Sequence, residues 1–418
     1  MLDRVRIQGF KSLRDVTVQL PRLTVLFGPN AAGKSNFLDA LHFLSAAITR
    51  RTLQEALEQP VRGYPIEAFT FPEQGLSGLM SQPAAKFDIS SWLTAYAADE
   101  ASTKLKYDLS VRVQPRTGNL SVADERLENL SKTGAKPRIN YEDGKVVVRK
   151  KKTGKPQQEP AGGNHTVVSI PAYSGDYFPE IEALRREVSA WRTYYLDPRT
   201  AMREPKPPAE VNDIGINGSQ LSTFLYRLRN GGDRLARRYD AIVRMVRMVI
   251  PSVESLDVEL DEHRAQIDLF VRQNGIRYSD RVVSEGTLRV IALAAISLNP
   301  WPANLIAFEE PENGVHPRRL EHIAEILSFA AGIGENIPRS QVIVNTHSAL
   351  FVAEGIKLRR AHSDQVSLIH VKHDGEGSVF TPIGDPDSLF EQVDVDALLQ
   401  DDEGAKVQAL LLRGFLDG

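Results

Sequence analysis

The segment Gly28-Pro29-Asn30-Ala31-Ala32-Gly33-Lys34-Ser35 meets every fixed position of G-x-x-x-x-G-K-[ST], a pattern whose chemistry is the holding of a polyphosphate. Its glycines let the backbone wrap closely enough for successive N–H groups to face β- and γ-phosphate oxygens. A helix opening near Gly33 turns its positive end on the same oxygens, with Asn36 in its first turn. Lys34 is placed to neutralise charge on the transferred group, and the Ser35 hydroxyl to ligate Mg²⁺. Such a loop binds nucleotide; hydrolysis also needs a carboxylate for the metal and a group that positions water. Leu305-Ile306-Ala307-Phe308-Glu309-Glu310 offers both at the end of an apolar run. Glu309 would hold Mg²⁺, directly or through water, and Glu310 would polarise the attacking water. Gln341-Val342-Ile343-Val344-Asn345-Thr346-His347 repeats the design, and His347 is the candidate contact for a γ-phosphate.

These side chains need elements to present them. Leu23 to Phe27 is a short, nearly all-apolar run that fits a strand buried on both faces. After the glycine-rich turn, Phe37, Leu38, Leu41, Phe43 and Leu44 recur at helical spacing. Leu2 to Phe10 and Val16 to Leu20 alternate as half-buried strands do. From about Pro60 to Gly163 strand-like runs alternate with turns, and the segment ends in a basic stretch holding Lys145, Arg149, Lys150, Lys151, Lys152 and Lys155. Ile181 to Tyr194 and Gln220 to Ile250 have helical texture, the latter dotted with Arg227, Arg229, Arg234, Arg237, Arg238, Arg244 and Arg247. Leu256 to Leu260 and Ala265 to Val271 read as strands. Pro302 to Phe308, Gln341 to Asn345 and Val366 to Val371 read as buried strands, with a helix over Pro317 to Ala330. That alternation predicts α/β layering. The expected division is an N-terminal ATPase part at 1–60, a β-rich lobe with a basic hairpin at 61–170 and a helical insertion at 171–252. A C-terminal ATPase part follows at 253–375, then a helix-like tail at 376–418.

Length and composition bound the function classes. A chain of 418 residues, 42% hydrophobic and 25% charged, can bury a sizeable core. Its formal net charge of -3 gives no whole-molecule signal for nucleic acid, so any such contact must come from a local patch. There are no cysteines, which excludes disulfides and thiolate metal sites. No stretch approaches the roughly 18 apolar residues of a membrane span, and the N-terminus alternates like a strand instead of a signal peptide. The expectation is a soluble cytoplasmic protein with no membrane partner.

Together these motifs resemble the ABC-type ATPases of the RecF, SMC and OLD group. Gly28 to Ser35 matches Walker A, Leu305 to Glu310 matches Walker B, Asn313 to Pro317 sits at the D-loop, and His347 at the switch histidine. Val283-Ser284-Glu285-Gly286-Thr287-Leu288-Arg289 looks like the ABC signature, and Phe10-Lys11-Ser12-Leu13 like the opening motif of the group. The resemblance covers roughly residues 1 to 50 and 255 to 375. It implies a P-loop NTPase fold of ABC-ATPase type, with a mixed sheet, a β-rich lobe and a helical insertion. ATP and Mg²⁺ are the implied cofactors. The partner is a second copy, forming a homodimer or higher homo-oligomer with ATP at the interface. Ser284 and Gly286 would then cap the γ-phosphate bound by the opposite subunit. Gln74, in Phe71-Pro72-Glu73-Gln74-Gly75, is the candidate metal-sensing glutamine, with a plain turn residue as the alternative. Glu309 stands where many ABC proteins have aspartate, a Glu-Glu-Pro-Glu form that OLD-like proteins share.

Three readings of the biological role follow. The first is the slow ATPase subunit of a bacterial anti-phage defence system that gates a separate nuclease or toxin effector. The second is a stand-alone RecF-like ATPase in DNA repair, with DNA contacts in the basic stretch. The third, a transporter's ATPase subunit, fits poorly with the long β-rich insertion and the Phe10-Lys11-Ser12 opening. Asp394, Asp396, Asp401 and Asp402 lie in a polar tail and read as a solvated face, so the chain shows no nuclease cluster of its own.

Overall fold

The computed structural model describes residues 1–58, 60–96, 102–132, 134–151, 155–335 and 339–383. From the N-terminus come β1 (Leu2–Phe10), β2 (Leu13–Gln19), β3 (Leu23–Phe27), α1 (Lys34–Thr49), α2 (Leu53–Ala56) and α3 (Gly75–Ser81). A run of strands follows: β4 (Ala85–Tyr96), β5 (Ser102–Gln114), β6 (Asn119–Asn129), β7 (Ile139–Glu142), β8 (Lys145–Val148) and β9 (Gln157–Pro160). Then come α4 (Pro179–Ser189), β10 (Trp191–Tyr194), α5 (Leu221–Asn230), α6 (Asp233–Val249), β11 (Val253–Asp261), β12 (Gln266–Gln273) and β13 (Ile276–Ser279). The last third holds α7 (Glu285–Ser297), β14 (Leu305–Glu309), α8 (Leu320–Ala331), β15 (Gln341–Thr346), α9 (Ala349–Ala361), β16 (Val366–His373) and β17 (Ser378–Pro382).

The chain folds into two compact units, each assembled from separated segments. Among the described residues, one comprises 1–20, 30–191 and 371–381; the other comprises 21–29, 192–370 and 382–383. In the first, an antiparallel sheet runs in the order β2-β1-β4-β5-β6-β7-β8-β9. Strands β4 and β5 alternate buried and partly exposed residues, so one face of the sheet is packed. Phe87 of β4 sits at the centre of that packing, with ring centroids of Phe10, Phe43 and Phe69 at 5.2, 5.1 and 5.0 Å. Aromatic area of this kind dominates local burial, and it pins the β1 turn to α1. Helix α1 also packs on α4, where the Ser45 hydroxyl donates to the Val188 carbonyl at 2.9 Å.

A buried carboxyl gives this unit a pH dependence. Glu125 is 1% exposed and accepts hydrogen bonds from the Val167 and Val168 N–H groups at 2.6 and 3.1 Å and the Tyr107 hydroxyl at 2.9 Å. Burial outweighs those donors and pushes it from 4.5 up to about 7. The folded state therefore binds the extra proton between those two values. Its stabilising contribution is full below the unfolded pKa and falls as pH rises through the folded one, a loss on the order of 3 kcal/mol. Glu125→Gln is expected to flatten that slope in melting temperatures measured from about pH 5 to 8. Equal slopes in both proteins would assign the pH dependence elsewhere.

The second unit is built on a parallel sheet in which β14, β15, β3 and β16 lie side by side, with β10 outside β14. Its strands β3, β14 and β15 are buried almost throughout, as strands covered on both faces are. Helix α7 is buried from Gly286 to Ile296 and packs against α6 and α8. A three-stranded antiparallel sheet, β11-β12-β13, completes the unit.

Local expectations needed correction in the middle of the chain. The helix expected over Ile181 to Tyr194 ends at Ser189, and Trp191 to Tyr194 form strand β10. Aromatic and β-branched residues favour a strand there, and Tyr194 stacks on Phe308 with ring centroids 5.5 Å apart. The run Gln220 to Ile250 is two helices, broken at Gly231-Gly232, where Gly232 takes φ +89°. Over Pro317 to Ala330 the first turn, Pro317–Arg319, is 3₁₀ and the α-helix begins at Leu320. Lys152 and the tail beyond residue 383, including Asp394, Asp396, Asp401 and Asp402, lie outside the described residues.

Candidate nucleotide-binding site

The loop from Gly28 to Ser35 leaves the buried end of β3 and enters α1, the strand–turn–helix context its pattern requires. It uses backbone conformations that L-residues avoid: φ is +144° at Gly28, +61° at Ala31 and +102° at Gly33. At Gly33 no side chain fits, because a Cβ would stand 1.9 Å from Ser378 Oγ and 2.7 Å from Ser12 Oγ. Helix α1 begins with no side-chain cap and no acidic residue in its first turn. A helix N-terminus of this kind suits an anion, so the loop fits a polyphosphate. Lys34 is 6% exposed, Ser35 and Asn36 are half-buried, and Asn30 and Ala31 are exposed.

Side chains from distant segments hold this loop. The Asn36 amide donates to Ser12 Oγ at 2.8 Å, Ser12 and Ser378 share a hydroxyl contact of 2.6 Å, and the Ser378 N–H donates to the Ser12 carbonyl at 2.8 Å. Lys11, at φ +50°, donates from Nζ to buried Asp39 on α1 at 2.6 Å and to the Arg62 carbonyl at 2.8 Å. Arg62 adds a second contact to Asp39 at 3.1 Å. The opening motif thus works as a clamp: Phe10 enters the aromatic core while Lys11 and Ser12 grip α1. Beside them lies a hollow of about 440 Å³ whose walls include Ser12, Arg14, Phe69, Phe71 and His373.

The acids and the histidine stand in the unit with the parallel sheet. Glu309 pairs in register with Asn345, and Thr346 with Phe27, so Glu309, His347 and the start of the P-loop at Gly28 leave the carboxyl ends of adjacent strands. Open α/β sheets bind ligands at that edge. The Asn345 amide reaches Glu309 Oε1 at 3.4 Å. Glu310 takes φ +47°, held by its N–H donating to the Asn345 carbonyl at 2.8 Å. Its carboxylate is held on both oxygens: Oε1 lies 2.9 Å from His347 Nδ1, and Oε2 accepts from the Asn313 amide at 2.7 Å. The left-handed backbone is what turns this side chain out of the strand and on to His347. Glu312 is 6% exposed and bonds the Thr346 hydroxyl; burial raises its pKa above the usual carboxylate range.

Ser284 is the N-cap of α7, with Oγ accepting from the Thr287 N–H at 3.2 Å, and it is exposed. Gly286 is buried against the D-loop segment, where a Cβ would lie 2.2 Å from the Gly314 carbonyl oxygen. That close approach is a physical requirement for glycine. Gln74 is exposed at the start of α3, and its Oε1 lies 3.1 Å from where a Cβ on Gly78 would be, a placement that a turn residue explains by itself. In the basic stretch, Arg149 is committed to Glu142 at 2.7 Å, and Lys145 to Gln158 at 3.1 Å. Ser378 and Arg62 had no signal in the sequence, being brought in from elsewhere in the chain, and Asp39 of α1 had none until Lys11 and Arg62 met it. Asn313 had one, since it follows Glu310 by a single turn.

Metal-holding groups of three or more His, Asp or Glu are absent among the described residues. Mg²⁺ does not need one, since it is held by one or two protein oxygens plus substrate phosphates. The Ser35 hydroxyl and the Glu309 carboxylate are oxygen donors of that kind.

The chain matches, over residues 23–353, the family model described as AAA domain, putative AbiEii toxin, Type IV TA system. A search of curated proteins finds no match. Among solved structures it is similar to an SMC head bound to the C-terminal winged-helix domain of ScpA, with a TM-score of 0.53 at 13% identity, covering 91% of this chain and 98% of that one. Weaker similarities, with TM-scores of 0.49 and 0.41, are to a Pyrococcus furiosus SMC head domain with an extended coiled coil and to the recombination mediator RecF. They have 12% identity and cover 96% and 92% of this chain and 99% and 98% of the others. The chain belongs to this AAA family, putative AbiEii toxin of a type IV TA system, and its fold is that of an ABC-type P-loop ATPase.

Proposed function

We propose that the protein hydrolyses ATP with Mg²⁺ and uses the cycle as a dimerisation switch. The observation that carries this reading is the convergence of Glu309, Glu310 and His347 at the sheet edge from which the P-loop departs. Mg²⁺ would supply positive charge against the phosphate oxygens. Ser35 and Glu309 are the oxygen donors that would hold it, with Gln74 a candidate for a further ligand. Lys34 and the α1 N-terminus take up charge that develops on the transferred group. Glu310 orients a water and accepts its proton, and His347 fixes the Glu310 carboxylate and meets the γ-phosphate. The hollow beside Ser12 receives the nucleoside end. Ser284 and Gly286 of a second copy close over the γ-phosphate, so ATP joins two chains and hydrolysis frees them. The family's description names a type IV TA system and supports a toxin–antitoxin role. In this reading the ATP-bound dimer acts in the cytoplasm, as part of an anti-phage defence, by gating a separate nuclease or toxin.

A second reading, DNA as the activating ligand, is favoured by helix α6. Arg234, Arg237, Arg238, Arg244 and Arg247 are exposed, and among the described residues none of them forms an ion pair. By contrast Arg227 is held by Glu210 at 2.8 Å and Arg229 faces Asp257 at 3.7 Å. A row of uncompensated arginines suits a phosphate backbone better than the basic stretch, where Arg149 is already neutralised.

Phosphate release measured on the purified chain tests both readings. ATP with Mg²⁺ should give slow turnover that EDTA abolishes, together with a doubling of mass by light scattering. No turnover and no ATP-dependent dimer would sink the switch. Stimulation by duplex DNA that falls with added salt, and is lost in an Arg237→Glu, Arg244→Glu, Arg247→Glu triple variant, would establish the second reading.

A further inference from the structure

Helix α7 carries Arg289, which is 8% exposed in a stretch buried from Gly286 to Ile296. A guanidinium removed from water to that degree needs compensating charge. One is a hydrogen bond, from a terminal nitrogen of Arg289 to the Glu310 carbonyl at 3.3 Å. The rest is attraction to carboxylates, Glu312 first and then Glu285 and Glu310. Yet the compensation is incomplete on both sides. Arg289 Nε and Glu312 Oε2 are both buried, and neither has a hydrogen-bond partner among the described residues. Buried polar atoms are rarely left so, and a complementary donor and acceptor in one site call for a state that joins them.

The pair touches each moving part of the proposed switch. Arg289 lies on the helix whose first turn carries Ser284 and Gly286, and Gly286 abuts the Gly314 carbonyl in the segment after Glu310. The Glu310 carbonyl that Arg289 binds belongs to a residue held at φ +47°, a conformation sensitive to small displacements. Glu312 binds the Thr346 hydroxyl, one residue before His347. A shift of α7 therefore reaches the water-polarising carboxylate by one route and the histidine by another.

We infer that Arg289 and Glu312 form a two-state latch between the signature helix and the hydrolytic residues of the same chain. Seating Ser284 and Gly286 on the nucleotide of a second copy moves α7, Nε of Arg289 closes on Oε2 of Glu312, and Glu310 and His347 are fixed for hydrolysis. A monomer with bound ATP keeps the latch open and does not turn over. Both residues are positioning residues, acting through Glu310 and Thr346. The inference rests on the dimer switch proposed above.

The test compares Arg289→Met, Arg289→Lys, Glu312→Gln and the double variant Arg289→Met with Glu312→Gln. Three readouts are needed: binding of a fluorescent ATP analogue, ATP-dependent dimer mass, and phosphate release as a function of protein concentration. The wild type should show turnover per chain that climbs with concentration as dimers form. Each single variant should bind nucleotide and dimerise within about 3-fold of wild type, while kcat falls roughly 30- to 100-fold. The double variant should fall no further than either single one, as coupled residues do. Arg289→Lys keeps the charge and protects the fold, yet should also lose kcat, because an ammonium cannot serve the Glu310 carbonyl and Glu312 together. Full activity in Arg289→Lys or Arg289→Met, or additive losses in the double variant, would overturn the latch. A wild type that neither dimerises nor hydrolyses ATP would instead remove the switch on which it rests.

Discussion

Glu310→Gln keeps ATP bound, loses hydrolysis by roughly 10²- to 10³-fold and accumulates as an ATP-bound dimer. Every contact around Glu310 contributes to that expectation. Its carboxylate meets His347 Nδ1 at 2.9 Å through one oxygen and the Asn313 amide at 2.7 Å through the other. Glutamine is isosteric and can keep one of those contacts, so the left-handed turn and the strand should survive. What it loses is the ability to take a proton from water, and that loss falls on the transition state alone. Binding, which depends on the P-loop, is untouched. Because ATP closes the proposed dimer and hydrolysis opens it, blocking the second event traps the product of the first. Phosphate release and light scattering with ATP check both halves. Retention of wild-type turnover would remove Glu310 from the catalytic assignment, and loss of turnover without a trapped dimer would remove the dimer from the cycle.

Lys34→Ala should abolish nucleotide binding over the usual micromolar range, with a loss of roughly 10²-fold or more in affinity. Lys34 is 6% exposed at the first position of α1, where the helix has no side-chain cap and no acidic residue in its first turn. In a site so little hydrated, the charge-assisted hydrogen bond of an ammonium to phosphate oxygens is among the stronger non-covalent contacts available. Alanine favours the helix slightly and leaves the fold intact. The loss should therefore appear in binding while melting temperature without nucleotide stays within a few degrees. Calorimetric titration with ATP and Mg²⁺ separates the two. Unchanged affinity would mean that the loop's backbone carries the phosphate without the lysine.

Much of this protein was legible in its residues because the relevant constraints are local. A phosphate-binding pattern is written in a short segment of fixed composition, so the strand–turn–helix course of Gly28 to Ser35 could be read directly. The strands that deliver Glu309, Glu310 and His347 were visible for a similar reason, since a strand buried on both faces must be apolar along its length. The ABC-type fold was what the resemblance of those motifs to a known family implied. The strand at Trp191–Tyr194 was missed because hydrophobic spacing over a few residues does not separate helix from strand, and the break at Gly231-Gly232 because helical spacing resumes on its far side.

What only the tertiary structure decided is which groups meet after long excursions of chain. Ser378 stands behind Gly33, Asp39 draws in Lys11 and Arg62, and Arg289 is buried against the segment that bears Glu310 and Glu312. It also decided which charges remain uncompensated. Arg149 of the basic stretch is paired with Glu142, whereas the arginines of α6 are exposed and form no ion pair among the described residues. The sequence determines the motif chemistry because that is written in neighbouring residues. Pairing between distant side chains is set by how strands and helices pack, and no local pattern encodes it.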